Sequence, residues 1–432
     1  MTILRYVGIV LLVLIAGIMA LIGILTVTRS SPIRQVIAEG DSEGPPYVTD
    51  PLFARSIELY AGTHIDDANE VEILSDGDGT YPPMWSDIAS AQQTITVQMY
   101  YSQPGAVADT LAKYLIERRR AGVRVLLLLD AFGSDPLKGD WADRVREGGV
   151  ELAWLRPIKW YTLHKAAHRS HVRLVVVDGR VGYTGGWGIA DYWLGDGRTD
   201  GQWREANVRF RGPTVSAVQA TFAAGWVEAT GELLTGERFF PRESVEPAGS
   251  VKAGFMHTLP VIGSTPAARF FALSIVGAQK TLYITNSYFV PDESMRDLLK
   301  GAVRRGVDVR VLTVSDKTDI KTTLYAGRAL YEDLLEGGVR IYEYTPSMMH
   351  AKTFVVDGMW STVGSLNFDN RSISFNNESN IVVLDAGFGQ QMNEIFLEDL
   401  RYSKEIKLEE FRRRPWYRKV MEWGASRMWR IL

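Results

Sequence analysis

Cysteine is absent from the 432-residue chain, and neither sign of charge dominates it. The lack of cysteine excludes disulfides, thiolate metal ligands and a cysteine nucleophile, although it does not identify a compartment. The formal net charge is only −3, from 48 basic and 51 acidic residues. Proteins that bind nucleic acid through its phosphates need a basic surface, so we expect no nucleic-acid partner. No feature indicates an obligate protein partner.

Charged residues are also missing from one long stretch near the N-terminus. Residues 6–27 carry no charge and lie between Arg5 and Arg29. A helix of this length spans roughly 33 Å, which is enough to cross a bilayer. A signal peptide would have a shorter apolar core and a small-residue cleavage site, which we do not find. We therefore expect residues 1–30 to form a single-pass transmembrane anchor, followed by a linker at 31–50.

The rest of the chain consists of two similar halves. TITVQMYY (94–101) and TLYITNSYF (281–289) each precede a helical pattern and a buried-strand pattern, and both halves then contain EGGV. This alternation predicts an α/β fold with a mixed, mostly parallel sheet flanked by helices. We expect two domains, 51–245 and 252–405, arranged as a pseudo-twofold dimer whose equivalent loops meet at one cleft.

A histidine motif is present once in each half. HVRLVVVDG (171–179) and HAKTFVVDG (350–358) place a histidine, a basic residue and an aspartate at the same spacing. In a strand, residues i and i+2 lie on the same face, so His350 and Lys352 should project together. An imidazole next to a fixed cation suits a phosphate, with the imidazole as nucleophile or proton donor.

Two further elements follow the second histidine motif. GSLN places Gly364, Ser365 and Asn367 where a backbone N–H and an amide could approach an anion. The E-x-N element contributes Glu378, a carboxylate suited to holding an imidazole in one tautomer. The first half contains Glu205 in a corresponding E-x-N element. The pattern predicts one phosphate site built from both halves.

These motifs carry a family resemblance. HxK(x)4D followed by GSxN, present once in full and once as a partial copy, resembles the phospholipase D superfamily. SYFVPDE (287–293) and SLNFDNRS (365–372) resemble its bacterial cardiolipin synthase branch. The resemblance covers roughly residues 51–405. It implies two phospholipase D-type domains and a phosphohistidine mechanism without metal or cofactor. The catalytic residues that it implies are His171, His350, Lys352, Arg173, Asp178, Asp357, Glu205 and Glu378. The implied phosphate-binding residues are Gly364, Ser365, Asn367 and Gly188.

The resemblance also implies a function. We expect a phosphatidyltransferase of cardiolipin synthase type, anchored in a bacterial cytoplasmic membrane, that transfers a phosphatidyl group between phospholipids. Phosphatidylglycerol is the expected substrate. By position, His171 would be the nucleophile and His350 the acid, although the near-symmetry of the halves leaves this open. The alternatives are a phospholipase D-type hydrolase and a catalytically weakened protein that only binds lipid.

The first half departs from the family pattern at two positions. Arg173 replaces the lysine, and Gly188 replaces the asparagine. Arginine keeps the charge but differs in geometry, and glycine removes an amide side chain. The spacing of His164, His168 and His171 also permits three imidazoles on one helical face, but the strand pattern after His171 argues against a zinc site.

The C-terminal tail, 406–432, is basic and aromatic. Residues 412–432 contain seven Arg/Lys residues, one acidic residue and three tryptophans. An amphipathic segment of this composition is typical of helices that lie on anionic membranes. The alternative is a terminal helix that packs its tryptophans on the enzyme.

Overall fold

The computed structural model describes residues 2–27, 31–39, 45–160 and 167–428. Its strands are β1 (Asp66–Ser75), β2 (Thr94–Met99), β3 (Arg124–Asp130), β4 (Glu151–Leu155), β5 (Leu174–Val177), β6 (Val181–Gly185), β7 (Trp203–Arg204), β8 (Ala206–Arg211), β9 (Val251–Thr258), β10 (Thr281–Asn286), β11 (Asp308–Val314), β12 (Arg340–Tyr344), β13 (Met348–Met349), β14 (Lys352–Val356), β15 (Trp360–Gly364), β16 (Glu378–Leu384) and β17 (Ser403–Ile406).

The α-helices are α1 (Thr2–Val27), α2 (Pro51–Ile57), α3 (Asp76–Ser90), α4 (Ala106–Arg120), α5 (Asp140–Glu147), α6 (Thr214–Thr230), α7 (Pro266–Val276), α8 (Glu293–Arg304), α9 (Lys321–Glu336), α10 (Asn370–Ser374), α11 (Ala386–Leu400), α12 (Leu408–Arg412) and α13 (Trp416–Ser426). The fold is α/β, as predicted.

One large sheet runs through both halves of the chain. Its 15 strands lie in the order β17-β12-β11-β10-β14-β15-β16-β9-β1-β8-β6-β5-β2-β3-β4. Strands β9 and β1 pair antiparallel at the middle. Outward from that pair, β16, β15, β14, β10, β11 and β12 on one side follow the same order as β8, β6, β5, β2, β3 and β4 on the other. The internal repeat of the sequence is therefore reproduced in the order of the strands.

The prediction of a mostly parallel sheet is wrong. Within the described chain, the large sheet is parallel only at β2/β3, β3/β4, β10/β11 and β11/β12. The other ladders are antiparallel, including β5/β6 and β14/β15. Turns of a few residues connect these last two pairs, whereas a parallel connection needs a crossover of about a dozen residues or more. The sheet is therefore mixed.

Helices cover both faces of the sheet. Alternate residues of β3 show this, since Leu126 and Leu128 share a core with α6, while Val125 and Leu127 share another with α4 and α5. In the second half, α11 lies on the same face as α6, and α7 and α8 pack on the opposite face. Strands buried on both faces appear in the sequence as continuous apolar runs, as in VLLLL of β3.

The N-terminal helix α1 covers the uncharged stretch of the sequence. Its side chains are exposed from Arg5 to Leu21. Among the residues that the structure describes, no helix is long and apolar enough to cross a membrane, and the predicted anchor is not confirmed.

Candidate active site

The two motif histidines lie where the halves of the chain meet. His171 precedes β5 and donates its backbone N–H to the carbonyl of Asn377, at 2.9 Å. His350 precedes β14 and donates its backbone N–H to the carbonyl of Arg204, at 2.8 Å. Strands β7 and β13 also pair across the halves, in parallel. Each histidine is therefore fixed at its backbone by the other half.

The side chains of the histidines are paired with glutamates of the opposite half. His171 Nδ1 lies 2.7 Å from Glu378 Oε2, and His350 Nδ1 lies 2.5 Å from Glu205 Oε2. All four side chains are buried. A buried carboxylate accepts a hydrogen bond from Nδ1–H, which places the lone pair of each ring on Nε2, the atom that can attack phosphorus. The sequence predicts both glutamates, but it does not predict that each one pairs with the histidine of the opposite half.

The two glutamates are themselves held by different donors. Ser365 Oγ donates to Glu378 Oε2 at 2.6 Å. Glu205 Oε2 instead accepts from the indole Nε1–H of Trp193, at 3.2 Å. Trp193 was not among the predicted site residues. A possible signal was the replacement of the serine of GSLN by a glycine, Gly186, which leaves Glu205 without that hydroxyl.

Two buried cations lie beside the imidazoles. Arg173 Nη2 is 3.0 Å from His171 Nε2. Lys352 Nζ is 2.9 Å from His350 Nδ1 and also contacts the His350 carbonyl. An Nδ1–H that donates to Glu205 cannot also accept from Lys352, so this lysine acts as a charge beside the ring. The cations and imidazoles therefore form one cluster.

Burial changes the protonation of this cluster. It lowers the pKa of Lys352 to about 7, against the opposing charge of Glu205. Burial also lowers the pKa of His171, although the charge of Glu378 opposes this shift. The pKa of His350 is well below its ordinary value because of burial and the charges of Lys352 and Arg173. These lowered pKa values favour the neutral form of both imidazoles, in which Nε2 carries the lone pair needed for nucleophilic attack.

The aspartates of the histidine motifs do not contact the histidines. The Asp178 carboxylate accepts three backbone N–H groups, from residues 92–94 at the start of β2, at 2.7–2.9 Å. The Asp357 carboxylate does the same for residues 279–281 at the start of β10. Both have positive φ angles, 53° and 52°, in turns at the far ends of β5 and β14. Both aspartates therefore bind backbone about seven residues along the strand from each histidine, and their catalytic role stays a prediction.

The predicted phosphate-binding residues differ in their environments. Ser365 is engaged by Glu378. A Cβ at Gly364 would lie 2.6 Å from the Asn380 Cα. Glycine is therefore needed here for the close approach of β15 to β16. The carbonyl of Gly188 accepts from the Tyr81 hydroxyl at 3.0 Å. Asn367 is buried, and its Oδ1 has no hydrogen-bond partner in the described structure. Of the four, Asn367 is the best placed for a ligand.

The alternative metal site finds no support in the described part of the chain. His164 lies outside the described residues. The ring Nδ1 of His168 is 3.1 Å from the carbonyl of Phe375, in the second half. No cluster of three or more His, Asp or Glu side chains among residues 2–27, 31–39, 45–160 and 167–428 could hold a metal ion.

Comparison with known proteins identifies the family. Residues 84–226 and 273–400 match the family model of the cardiolipin synthase, PLD-like domain. Cardiolipin synthase of Geobacillus kaustophilus is 32% identical over 371 residues, which cover 84% of this chain and 72% of that protein. Cardiolipin synthase A of Pseudomonas syringae is 32% identical over 387 residues, which cover 87% and 79%.

A solved structure shares the fold. The crystal structure of phosphatidylserine synthase from Haemophilus influenzae superposes with a TM-score of 0.65 at 13% identity, and the match covers 87% of this chain and 97% of that one. The fold and the family model agree with the motifs of both halves. The chain belongs to the phospholipase D superfamily, in the family of cardiolipin synthase PLD-like domains.

Proposed function

We propose that the protein is a phosphatidyltransferase of cardiolipin synthase type that uses phosphatidylglycerol as donor and acceptor. The proposal rests on the pairing of each histidine with a glutamate of the opposite half of the chain. Glu378 binds His171 and Glu205 binds His350, inside one buried cluster that also holds two cations. Two oriented imidazoles with adjacent cations are what a two-step phosphodiester exchange needs. In this proposal the chain comprises two phospholipase D-like domains, 51–245 and 252–405, related by a pseudo-twofold axis.

In the first step His171 is the nucleophile. Its Nε2 attacks the phosphorus of phosphatidylglycerol, a P–N bond forms and the P–O bond to the terminal glycerol breaks. Protonated His350 gives its proton to the departing glycerol oxygen. Arg173 and Lys352 balance charge on the non-bridging oxygens, and the Asn367 amide donates a hydrogen bond to one of them. The assignment of His171 rests on its Nε2, which lies 3.0 Å from Arg173 Nη2 in the empty site. In this proposal the phosphate oxygens take over the guanidinium and free the Nε2 lone pair for attack.

In the second step the roles reverse. His350, now neutral, removes a proton from the terminal glycerol hydroxyl of a second phosphatidylglycerol as that oxygen attacks phosphorus. The P–N bond breaks, and cardiolipin leaves. The exchange starts and ends with a phosphodiester, so no energy source is required. Glu378 stabilises the positive charge of the phosphorylated His171, and Glu205 that of protonated His350.

Substrate binding prepares His350 to act as an acid. In the empty site, burial and the nearby cations keep the pKa of His350 low. The phosphodiester brings a negative charge into the cluster, and an adjacent negative charge favours the protonated form of an imidazole. The pKa of His350 therefore rises when the substrate is bound, which favours its protonation only in the loaded enzyme.

We further propose that α1 anchors the protein in a bacterial cytoplasmic membrane. The stretch 6–27 carries no charge, and the described side chains from Tyr6 to Leu21 are exposed. The anchor predicts that the full chain stays in the membrane pellet at alkaline pH. The paired change Leu12→Arg with Ile15→Arg should release it, whereas Ile37→Arg, at a position outside α1 that is 70% exposed, should not. Release of the unchanged protein would contradict the anchor.

We propose that α13 is a second membrane contact. Trp416, Val420 and Trp423 lie on one face at helical spacing and are exposed by 76%, 56% and 59%. Exposed cations flank this face, including Arg418 and Lys419. The opposite face packs on the protein, where Ala425 contacts the core of α9 and the loop after β10. The tryptophans therefore face away from the packed side of α13, where they can contact a membrane surface.

The absence of cysteine allows a direct test of this contact. A full chain with Trp423→Cys, labelled with an environment-sensitive dye, should show blue-shifted emission on phosphatidylglycerol vesicles. The matched control is Leu233→Cys, at a position that is 71% exposed in the segment after α6. Equal emission from both labelled positions would contradict the proposed contact of α13.

Product analysis tests the proposed activity. The purified full chain, solubilised in detergent with phosphatidylglycerol, should form cardiolipin and glycerol in equal amounts by mass spectrometry. His171→Ala and His350→Ala should each form none. Phosphatidic acid as the main product would instead identify a hydrolase. Vesicle binding without any product would identify a protein that only binds lipid, the alternative that Arg173 and Gly188 keep open.

A further inference from the structure

The first half-site lacks two side chains that the second half-site has. GSLN at 364–367 corresponds to GGWG at 185–188. At the serine position, a Cβ on Gly186 would lie 2.6 Å from Glu205 Cδ. At the asparagine position, a Cβ on Gly188 would lie 2.7 Å from the ring of Trp193. Neither glycine can be replaced without moving the group that faces it.

Trp193 occupies the space that these glycines leave. Its indole N–H donates to Glu205 Oε2 at 3.2 Å, as the hydroxyl of Ser365 donates to Glu378 in the other half. Its ring centroid is 5.5 Å from that of His350, in an edge-on arrangement. The Arg173 guanidinium lies 5.7 Å from the ring centroid, within cation–π range. Trp193 thus contacts Glu205 and His350, which form one histidine–glutamate pair, and Arg173, which lies beside the other histidine.

The tryptophan is held firmly. It is buried and ends a short 3-10 turn, Asp191–Trp193. The Asp191 carboxylate accepts the first backbone N–H groups of α4, from Ala106 and Val107, at 3.0 and 2.9 Å. Trp203 packs against the indole at a centroid distance of 4.7 Å. The N–H is therefore directed at Glu205 by the surrounding fold.

The geometry points to Trp193 as a positioning residue that holds Glu205 and, through it, His350. The inference rests on the proposed transfer reaction. Arg173, Gly188 and Trp193 then form one coordinated change rather than two separate losses. The indole N–H of Trp193 donates to Glu205, as the Ser365 hydroxyl donates to Glu378 in the other half. The indole ring also makes a cation–π contact with Arg173, which stands where the family pattern has lysine. The first half-site is complete in a different chemical form.

Removal of the indole donor tests this role. Trp193→Phe keeps a ring and removes the N–H, and the isosteric β-(3-benzothienyl)alanine at 193 removes the N–H without changing the shape. The matched control is Trp187→Phe. Trp187 belongs to the same GGWG loop and is buried, but its indole N–H has no hydrogen-bond partner among the described residues.

The expected kinetic result is a fall in kcat of about ten- to a hundredfold in both Trp193 variants, the usual effect of losing a hydrogen bond to a charged group. KM should change little, because Trp193 does not bind the lipid. Without the donor the pKa of Glu205 rises, so the acid limb of kcat should move to higher pH. Kinetics equal to those of Trp187→Phe would overturn the inference.

A spectroscopic readout separates this inference from the proposed function. In 15N NMR spectra, with the imidazole signals assigned by His350→Ala and His171→Ala, the Trp193 variants should shift the His350 signals and leave those of His171 in place. An unmoved His350 signal would overturn the inference even in an active enzyme. A wild-type protein that forms no cardiolipin would contradict the proposed function alone.

Discussion

Glu378→Gln should slow the reaction by removing one charge from the active site. Glu378 accepts from His171 Nδ1 at 2.7 Å, from Ser365 Oγ at 2.6 Å and from Asn376 Nδ2 at 3.3 Å. A glutamine can keep its oxygen towards His171, because the Asn376 amide can turn and accept from the new NH₂ group through its otherwise unpartnered Oδ1. The substitution therefore keeps the hydrogen bonds and removes the charge.

The size of the effect follows from the separation of the charges. Phosphorylated His171 is positive, and its charge centre lies about 4 Å from that of the carboxylate. At an effective dielectric constant of about 20, the attraction is roughly 4 kcal/mol, which corresponds to about a thousandfold in rate. We expect kcat for cardiolipin formation to fall by about 10²–10³-fold, since solvent and neighbouring dipoles compensate part of the loss.

The control is a second buried glutamate. Glu343 binds Arg328 at 2.8 and 2.7 Å, on β12 and away from the histidines. Glu343→Gln should lower the unfolding temperature, because it removes one of the two carboxylates that pair with the buried Arg328 and leaves only Asp316. It should preserve kcat of the folded protein. A fall of less than about tenfold in Glu378→Gln, or an equal fall in Glu343→Gln, would refute the electrostatic argument.

Three further outcomes are expected. Asp357→Asn should lower the free energy of unfolding by about 1–3 kcal/mol in denaturant melts, through its three backbone hydrogen bonds, with kcat unchanged. A large loss of kcat would instead support the catalytic role that the sequence predicts. Because burial lowers the pKa of Lys352 to about 7, Lys352 loses its charge as pH rises, and kcat/KM should decline above that pH. Lys352→Arg should remove this decline, because arginine keeps its charge. A pH profile of Lys352→Arg identical to that of the wild type would show that Lys352 does not cause the decline. Arg173→Lys keeps the cation and should stay within about tenfold of the wild-type kcat, whereas Arg173→Ala should lose at least about a hundredfold; equal losses would show that charge is not what matters there.

The sequence predicts the chemistry of the site better than its connections. His171, His350 and both glutamates are local features of strand and loop patterns, and the structure brings them together. The pairing of His171 with Glu378 is a contact across the two halves, 207 residues apart. No local sequence pattern predicts which half supplies the carboxylate for each histidine. The pairing across the two halves is therefore visible only in the structure.

The differences between the sequence-based predictions and the structure have the same origin. Strand patterns carry no direction, so the short turn at 178–180 was needed to show that β5 and β6 are antiparallel. Asp178 has the expected spacing from His171, but a strand places the two at opposite ends, where the carboxylate binds backbone. Trp193 contacts Glu205 through a turn whose position depends on packing, which the residue pattern alone does not determine.

The most direct test of the two-histidine mechanism uses a donor whose leaving group needs no proton, phosphatidyl-p-nitrophenol. His350→Ala lacks the acid but keeps the nucleophile, so it should release one rapid equivalent of p-nitrophenolate per enzyme and then stall as a phosphohistidine. His171→Ala should release none. A burst from His171→Ala and none from His350→Ala would contradict the assigned roles, and a burst from both or neither would contradict the mechanism.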